Sequence, residues 1–478
     1  MKTLKYNPLK TSTLFFYVII IATLITSCTK TNGPLAFGDK AIISFKIIKS
    51  NGVLLDTASV HVEIRSDSIF FTVPAATDIT NLTPVIEIKG VSLSPASGVP
   101  QDFSSPVKYT VKGSDGSSRV YTVMVKRAID NYIFFGASNK IMYALDAVDG
   151  HLIWSYTSNG WFSYSSPTVW QNIVYAGSTD NSMYAFDAAT GKVLWTFATN
   201  QAIESSPAIA NGILYFGSDD NSLYAVDALT GKLKWTHATG FNIGSSPTIV
   251  NGAVYVGSDD FNLYAFDAVT GNVKWTFTAG SIFNASSPVV VDGVLFIGNR
   301  DGNLYAIDAA TGSLKWKYYN GGISMEQSSP TVNNGVVYIG GWYNISNFSI
   351  KGSVYAVNAQ TGKLLWKALD SLAFGSSPVI AGGNLYIAAD DLNLYSLNAS
   401  TGNINWKVQI IPNGASPAIA DGVVYVGGGG TGYYYALDAA TGKEKWKYPI
   451  PMGLSVSSPC IIGVDGSVYH PGVSGEYN

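Results

Sequence analysis

Charged residues are scarce in this chain of 478 residues: Asp, Glu, Lys and Arg make up 13% of it, and the net charge is −3. This balance argues against a basic surface, so we expect no nucleic-acid partner. The chain has two cysteines, Cys28 and Cys460, and four scattered histidines. Two distant cysteines build no disulfide framework, and scattered histidines do not supply the ligands of a zinc site. We expect no metal.

Tryptophan, in contrast, recurs at regular intervals along the last three-quarters of the chain. One unit of sequence returns eight times, with steps of 40, 41 or 50 residues between its tryptophans: Trp154, Trp195, Trp235, Trp275, Trp316, Trp366, Trp406 and Trp446. A period of this size is typical of repeat architectures, in which each unit buries its core against its neighbours.

Turn residues divide each unit into four short segments rich in Val, Ile, Tyr and Phe. In the third unit, Ser205-Ser206-Pro207 opens the first segment, and turns follow at Asn211-Gly212, Asp219-Asp220-Asn221 and Asp227 to Gly231. Such segments form antiparallel strands joined by tight turns. Four strands in each of eight units predict an all-β fold, an eight-bladed β-propeller.

The segment Ala225-Val226-Asp227 to Trp235, and its equivalents in the other units, resembles the tryptophan-docking motif of the quinoprotein (PQQ-like) propellers. The resemblance implies that each of the eight indoles packs between adjacent blades and has a structural role. Asn358 and Asn398 replace the aspartate of the motif in two units, and asparagine makes the same turn.

The propeller region, residues 131–478, begins at Tyr132 without a Ser-Ser-Pro opener, and the missing opener stands near the other end as Ser457-Ser458-Pro459. A C-terminal first strand that completes the N-terminal blade would close the ring and remove its open sheet edges. Ser467-Val468-Tyr469 then looks like a second strand whose place is already filled. We expect it to fold over one face or to fray.

Residues 1–27 read as an export signal, with Lys2, Lys5 and Lys10 before an apolar core. The segment that ends at Cys28 resembles a bacterial lipobox, which implies that Cys28 is lipidated, and residues 28–39 read as a tether. The residues after Cys28 lack the acidic run of a Bacteroidetes surface-export signal. We therefore favour a lipid-anchored outer-membrane protein that faces the periplasm over one at the cell surface.

Residues 40–127 contain six alternating apolar runs bounded by turn residues, with a hairpin signal at Asp115-Gly116. This pattern predicts a small immunoglobulin-like β-sandwich, and it resembles the Ig-like domains of Bacteroidetes surface lipoproteins. Such domains act as spacers or bind ligands, and both roles stay open.

Two kinds of loop residue are candidates for binding. The loops between second and third strands carry Asp and Asn in many blades, and this recurrence favours turn formation over an acidic rim that binds a cation or a basic partner. Aromatic residues occur where the repeat is broken, and they contact a protein or a sugar, or pack across the mouth of the ring: Trp161, Phe162, Tyr164, Trp342, Tyr343, Phe348, Phe374, Tyr433 and Tyr434.

Three functions compete. The first is a monomeric, non-catalytic scaffold that binds proteins, similar to the propeller lipoprotein of the outer-membrane assembly machinery. The second is a carbohydrate-binding surface lipoprotein. The third is a quinoprotein dehydrogenase, but that resemblance also implies PQQ, calcium and an adjacent cysteine pair, and the chain has no adjacent cysteines. We therefore expect no catalytic residue and no PQQ.

Overall fold

The computed structural model describes residues 40–48, 61–65, 67–73, 79–103, 105–127, 131–345, 349–412, 415–428, 430–451, 457–462 and 468–469. The regular structure of these residues consists of β-strands. None of them belongs to a helix that is long and apolar enough to cross a lipid bilayer. The predicted export signal, Cys28 and tether lie outside the described residues.

The N-terminal strands form two sheets that share one core. Strands β1 and β4 pair antiparallel, and the second sheet has the order β2-β3-β7-β6-β5, in which β3 and β7 run parallel. Phe45 of the first sheet packs on Phe71 of the second with ring centroids 4.7 Å apart. The strand bounds are β1 Ala41–Ile48, β2 His61–Arg65, β3 Ser68–Val73, β4 Thr83–Lys89, β5 Ser92–Ser94, β6 Val107–Lys112 and β7 Ser118–Arg127.

This sandwich contains every apolar run that the sequence predicts as a strand, and it adds the short strand β5. The hairpin between β6 and β7 turns at Asp115-Gly116, where Gly116 has φ +78°. Only glycine adopts this left-handed conformation freely, which explains why the turn carries it.

Eight sheets follow, and each is one blade. Blade one contains β8 Tyr132–Gly136, β9 Ile141–Asp146 and β10 Leu152–Thr157. The next blades, each with four strands in antiparallel order, are blade two (β11 Thr168–Trp170, β12 Ile173–Ser178, β13 Ser182–Asp187, β14 Val193–Ala198), blade three (β15 Ala208–Ala210, β16 Ile213–Gly217, β17 Ser222–Asp227, β18 Leu233–Ala238) and blade four (β19 Thr248–Val250, β20 Ala253–Gly257, β21 Asn262–Asp267, β22 Val273–Thr278).

The remaining blades repeat this order. They are blade five (β23 Val289–Val291, β24 Val294–Gly298, β25 Asn303–Asp308, β26 Leu314–Tyr319), blade six (β27 Thr331–Asn333, β28 Val336–Ile345, β29 Ser349–Asn358, β30 Leu364–Ala368), blade seven (β31 Val379–Ala381, β32 Asn384–Ala388, β33 Asn393–Asn398, β34 Ile404–Gln409) and blade eight (β35 Ala418–Ala420, β36 Val423–Gly428, β37 Tyr433–Asp438, β38 Glu444–Pro449).

The C-terminal strand β39 (Cys460–Ile462) closes the ring, as the sequence predicts. It pairs antiparallel with β8, placing Cys460 opposite Phe134 and Ile461 opposite Ile133. The first strands of neighbouring blades contact one another, so they lie nearest the axis of the ring. Strand β39 is thus the inner strand of blade one.

The expectation for Ser467-Val468-Tyr469 is wrong for its last two residues, and Ser467 lies outside the described residues. Val468–Tyr469 forms strand β40, which pairs with β39 and becomes a fifth strand on the inner side of blade one. The physical reason is that β39 still offers unpaired backbone groups on its inner edge after pairing with β8. A following extended segment satisfies them.

All eight repeat tryptophans join one blade to the next. Each indole Nε1 donates a hydrogen bond of 2.8–3.0 Å to an alanine carbonyl in the following blade: Trp154 to Ala188, Trp195 to Ala228, Trp235 to Ala268, Trp275 to Ala309, Trp316 to Ala359, Trp366 to Ala399, Trp406 to Ala439 and Trp446 to Ala147. The glycine of each following turn lies against the indole. A Cβ on Gly271 would sit 2.6 Å from the ring of Trp235.

Serines of the Ser-Ser-Pro openers form a second connection between blades. In the series Ser166, Ser206, Ser246, Ser287, Ser329, Ser377, Ser416 and Ser458, the backbone N–H of each serine except the last donates to the hydroxyl of the next. This series therefore links all eight blades.

Candidate functional site

One face of the ring, which we call the loop face, carries the loops between second and third strands together with the loops between blades. Backbone hydrogen bonds hold the two sets together, such as Asp219 N to Ala202 O at 2.9 Å and Asp259 N to Asn242 O at 3.0 Å. The opposite face carries the remaining tight turns. The loop face is where the repeat varies most, so it holds the candidate site.

The recurring aspartates of these loops build the turns, as their recurrence suggests. In five blades the same aspartate accepts a hydrogen bond of 2.5–2.8 Å from a tyrosine hydroxyl of the third strand: Tyr184 to Asp180, Tyr224 to Asp220, Tyr264 to Asp260, Tyr305 to Asp301 and Tyr395 to Asp391. Burial, with the bond to Asp220, raises the pKa of Tyr224 to about 12. These carboxylates are engaged in the fold.

The residue before that aspartate behaves differently. Its backbone N–H donates to an interblade loop, as does that of the equivalent residue in blades six and eight, where no aspartate follows. The side chain changes from blade to blade: Thr179, Asp219, Asp259, Arg300, Trp342, Asp390 and Gly430. The backbone bond recurs, whereas the side chain bonds a loop only in some blades: Thr179 Oγ1 accepts from Trp161 N, and Asp259 Oδ1 accepts from Asn284 N. We call these residues, with the interblade residues Glu204 and Glu326 beside them, the mouth.

The mouth is acidic from blade three to blade six. Burial raises the pKa of Asp219, with further contributions from the charges of Asp259 and Asp220. The pKa of Glu204 is also raised, by burial and by the charge of Asp219. Arg300 opposes this charge: its Nε lies 3.7 Å from Oε2 of Glu326. Even so, burial leaves the pKa of Glu326 above its ordinary value.

Two of the predicted binding aromatics are exposed on the loop between blades one and two. Trp161 is 44% exposed and Tyr164 is 52% exposed, and their ring centroids lie 6.5 Å apart. Trp161 stands where Ala202 and Asn242 stand in the next two interblade loops, and Tyr164 is an extra residue. This pair is therefore specific to one loop.

Three predicted surface residues are buried, and placing them in a contact surface is wrong. Phe162, Phe374 and Tyr434 are each 0% exposed. Phe162 occupies the position of Ile203 and Ile243, where an apolar side chain fills the space beneath each interblade loop. Tyr434 stacks on Phe135 with ring centroids 4.1 Å apart. The recurrence of an apolar residue at the Phe162 position was the signal of its core role.

The insertion in blade six is not a loop but an extension of the hairpin β28–β29. Gly341 to Ile345 pair with Ser349 to Ser353 beyond the length of the other blades. Trp342 is half-buried, and its backbone N–H donates to Ser324 O at 2.9 Å. The side chain of Tyr343 and the whole of Phe348 lie outside the described part of the chain.

The remaining predicted aromatic is Tyr433 of blade eight. Tyr433 is half-buried, and the ammonium of Lys447 lies 4.9 Å from its ring centroid.

Sequence reasoning missed Phe261 and Leu392, which are exposed at loop tips with φ of +74° and +75°. Bulky residues rarely adopt this conformation. The sequence contained a signal for these two loop tips, because asparagine, which adopts positive φ more readily, stands at the same position in two other blades as Asn181 and Asn221.

Asp146, Asp149 and His151 form the group of three metal-ligating side chains that the described residues bring within 4.8 Å of one another. They lie on the turn between the third and fourth strands of blade one, away from the loop face. Asp149 and His151 are exposed, and Nδ1 of His151 lies 2.6 Å from Oδ1 of Asp149. Hydrogen bonds within the turn account for their proximity.

Comparison with known families gives two matches. The model of the family "Outer membrane protein assembly factor BamB" matches residues 124–208, 184–351 and 350–469. The model "SGBP, N-terminal" matches residues 42–125, the region of the sandwich. No curated protein matches the chain.

Solved structures share the propeller fold. BamB from Moraxella catarrhalis is 16% identical, with a TM-score of 0.54, over 66% of this chain and 98% of that one. The quinohemoprotein alcohol dehydrogenases ADHIIG from Pseudomonas putida HK5 (19% identical, TM-score 0.51, 64% of this chain and 69% of that one) and from Comamonas testosteroni (17%, 0.52, 73% and 74%) are also similar. At these identities the likeness concerns the fold alone.

Proposed function

Because this chain belongs to the family of the outer membrane protein assembly factor BamB, we propose that its propeller is a non-catalytic scaffold that binds another envelope protein through the loop face. The Trp161–Tyr164 pair carries the proposal. Large aromatic side chains are enriched at protein interfaces, and these two are exposed on a loop whose equivalents lack them. The blade contacts described above use the side chain of neither residue.

The test is capture of the partner from envelope extract with the full chain as bait. We expect the wild-type protein to retain a specific envelope protein, and the W161A/Y164A variant to lose most of it. A matched control is V148A, which changes an exposed apolar residue on the opposite face. Equal capture by all three proteins would contradict the proposal, provided that the two variants melt like the wild type.

We further propose that the protein is anchored to the outer membrane through a lipid on Cys28, with the propeller in the periplasm. The lipobox-like segment that ends at Cys28 supports the anchor. The family name supports an envelope location. Protease treatment of intact cells tests the orientation, because a periplasmic propeller resists digestion and a surface propeller does not.

A second candidate function is carbohydrate binding, and the same aromatic pair favours it. Exposed indole and phenol rings offer apolar faces with polar edges, which suit the mixed surface of a sugar. A glycan-array screen separates the two functions. Saturable binding of a glycan that W161A/Y164A loses, together with no captured protein, would establish the carbohydrate function instead.

Redox catalysis is not part of the proposal. PQQ carries three carboxylate groups, and a mouth that already holds Glu204, Asp219, Asp259 and Glu326 would repel them. The cysteine described by the structure, Cys460, is buried in the inner strand of blade one. We therefore predict no saturable PQQ binding in calorimetry with calcium present. Micromolar binding of PQQ would contradict this prediction and support the dehydrogenase function.

A further inference from the structure

The acidic mouth is not required by the fold. Glu326 occupies the interblade position that Ser163, Gly244, Asn284 and Gly375 occupy in other loops. None of these residues carries a charge, so the ring forms without a carboxylate there. The mouth position of the second-to-third-strand loops varies in the same way, from Thr179 to Asp219 to Arg300. The concentration of carboxylates on blades three to six therefore calls for another explanation.

Glu326 is the most buried member of this cluster. The residue is 3% exposed, and its Oε2 has no hydrogen-bond partner among the described residues. The nearest opposite charge is the Arg300 guanidinium, whose Nε at 3.7 Å is too far for a hydrogen bond. Burying a carboxylate oxygen without a donor is costly, and a ligand that supplies the donor recovers this cost.

The charged groups around Glu326 also favour a positively charged ligand. The negative charge of Asp259 raises the pKa of Glu326 and also that of Asp219. The charge of Asp219 in turn raises the pKa of Glu204. Asn284 donates its backbone N–H to Asp259 at 2.9 Å, and Arg300 is the cation facing this group. Four carboxylates against one guanidinium leave an excess of negative charge that favours a cation.

An aromatic residue, Trp342, is bonded to the loop that carries Glu326. It holds the mouth position of blade six, and its backbone bond to Ser324 O places it two residues from Glu326 along the adjoining loop. Its indole is half-buried, with Nε1 buried and without a hydrogen-bond partner in the described part of the chain. Tryptophan is the side chain whose ring attracts cations most strongly.

We propose that the mouth beside Glu326 and Trp342 receives a lysine or arginine side chain of the protein that the loop face binds. The inference rests on the proposed function and specifies its partner. An ammonium or guanidinium group at the mouth would pair with the carboxylate of Glu326 and reduce the repulsion from Asp259. A side chain entering from a partner's surface would still leave the Trp161–Tyr164 pair free to contact that surface.

The geometry favours an organic cation over a metal ion. A bound Ca²⁺ takes its oxygen ligands at 2.3–2.6 Å, so its carboxylates must converge. Among the described residues, the group of three carboxylate or imidazole ligands that lies within 4.8 Å is Asp146, Asp149 and His151, on the opposite face. The mouth carboxylates are spread over several blades, which suits a side chain lying across them.

The first test titrates the full chain with the peptide acetyl-Lys-Lys-Lys-Lys-amide in low salt and follows binding by calorimetry. We expect saturable binding that E326Q and D259N each weaken by about tenfold. The charge-matched control E444Q alters an exposed carboxylate on an outer strand and should leave the affinity unchanged. The same peptide with acetylated lysines should not bind. Absence of binding, equal binding by E326Q, or binding of Ca²⁺ in place of the peptide would overturn the proposal.

The second test uses the envelope capture described above. If wild type retains a protein and E326Q retains as much, the inference is wrong while the proposed function stands. If wild type retains none, the proposed function fails, and the peptide titration alone decides whether the mouth binds a cationic side chain.

Discussion

The indole Nε1 of Trp446 donates a hydrogen bond to the carbonyl oxygen of Ala147, 3.0 Å away and 299 residues earlier in the chain. The hydroxyl of Tyr425 donates to the same oxygen at 3.2 Å. Blade eight thus contacts blade one in the way that every blade contacts its successor. Together with the pairing of β39 and β8, this contact closes the ring at two separate places.

Replacing Trp446 with alanine should lower the free energy of unfolding by about 3–5 kcal/mol, because a buried indole is lost from a blade interface. Trp446→Phe keeps an apolar ring but leaves the Ala147 carbonyl with one donor fewer, so its cost should be smaller, about 1–3 kcal/mol. Urea unfolding measures both. A W446A protein as stable as wild type would mean that strand β39 alone holds the ring closed.

Gly271 and Gly252 form a matched pair for testing the tryptophan contact. Both have positive φ, +71° and +73°, but a Cβ on Gly271 would meet Trp235 at 2.6 Å, whereas a Cβ on Gly252 would meet nothing within 4 Å. Gly252→Ala should cost only the backbone strain, about 1–2 kcal/mol. Gly271→Ala should cost about 1–3 kcal/mol more. Equal losses in thermal unfolding would show that the indole yields easily.

Glu326 should make stability fall as the pH rises. Its folded-state pKa lies above the unfolded value of about 4.3, so the folded protein holds the proton more tightly. The stabilisation from that proton is complete below pH 4 and is lost as the pH rises through the raised pKa. E326Q cannot titrate, so we expect its melting temperature to exceed that of wild type at pH 7 and to match it near pH 3.5. A less stable E326Q at pH 7 would show that the ion pair with Arg300 outweighs burial.

Replacing Cys28 with alanine should release the protein from membranes, because the apolar segment before it is too short to remain as a membrane-spanning anchor. Fractionation of cells followed by a salt wash measures this. A C28A protein that stays with the membrane after the wash would exclude a lipid on Cys28 as the sole anchor.

The fold could be predicted from the sequence because the same four-strand unit recurs eight times. Each tryptophan comes with its own turn, and the displaced opener Ser457-Ser458-Pro459 reveals the closing strand. Strand β40 could not be foreseen, because nothing in its residues shows that the inner edge of β39 remains open. The hairpin extension was also misjudged, since Gly341 and Asn344 are turn-type residues although both pair within strands.

The candidate site was less accessible to prediction. The exposed pair Trp161 and Tyr164 was identified because it breaks the repeat. Phe162 in the same loop is buried, because it keeps the apolar position that Ile203 holds in the next interblade loop. An acidic rim was set aside in favour of turn formation, and Glu204 and Glu326 were missed because they come from interblade loops of different length. Their convergence with Asp219 and Asp259 depends on how the blades are arranged around the axis.

The central claim, that the loop face is the protein-binding face, is tested most directly by photo-crosslinking in cells. A photoreactive phenylalanine analogue replaces Trp161 on the loop face or Val148, which is 71% exposed on the opposite face. The account predicts a crosslink to an envelope protein from position 161 and none from position 148. A crosslink from position 148 alone would contradict it.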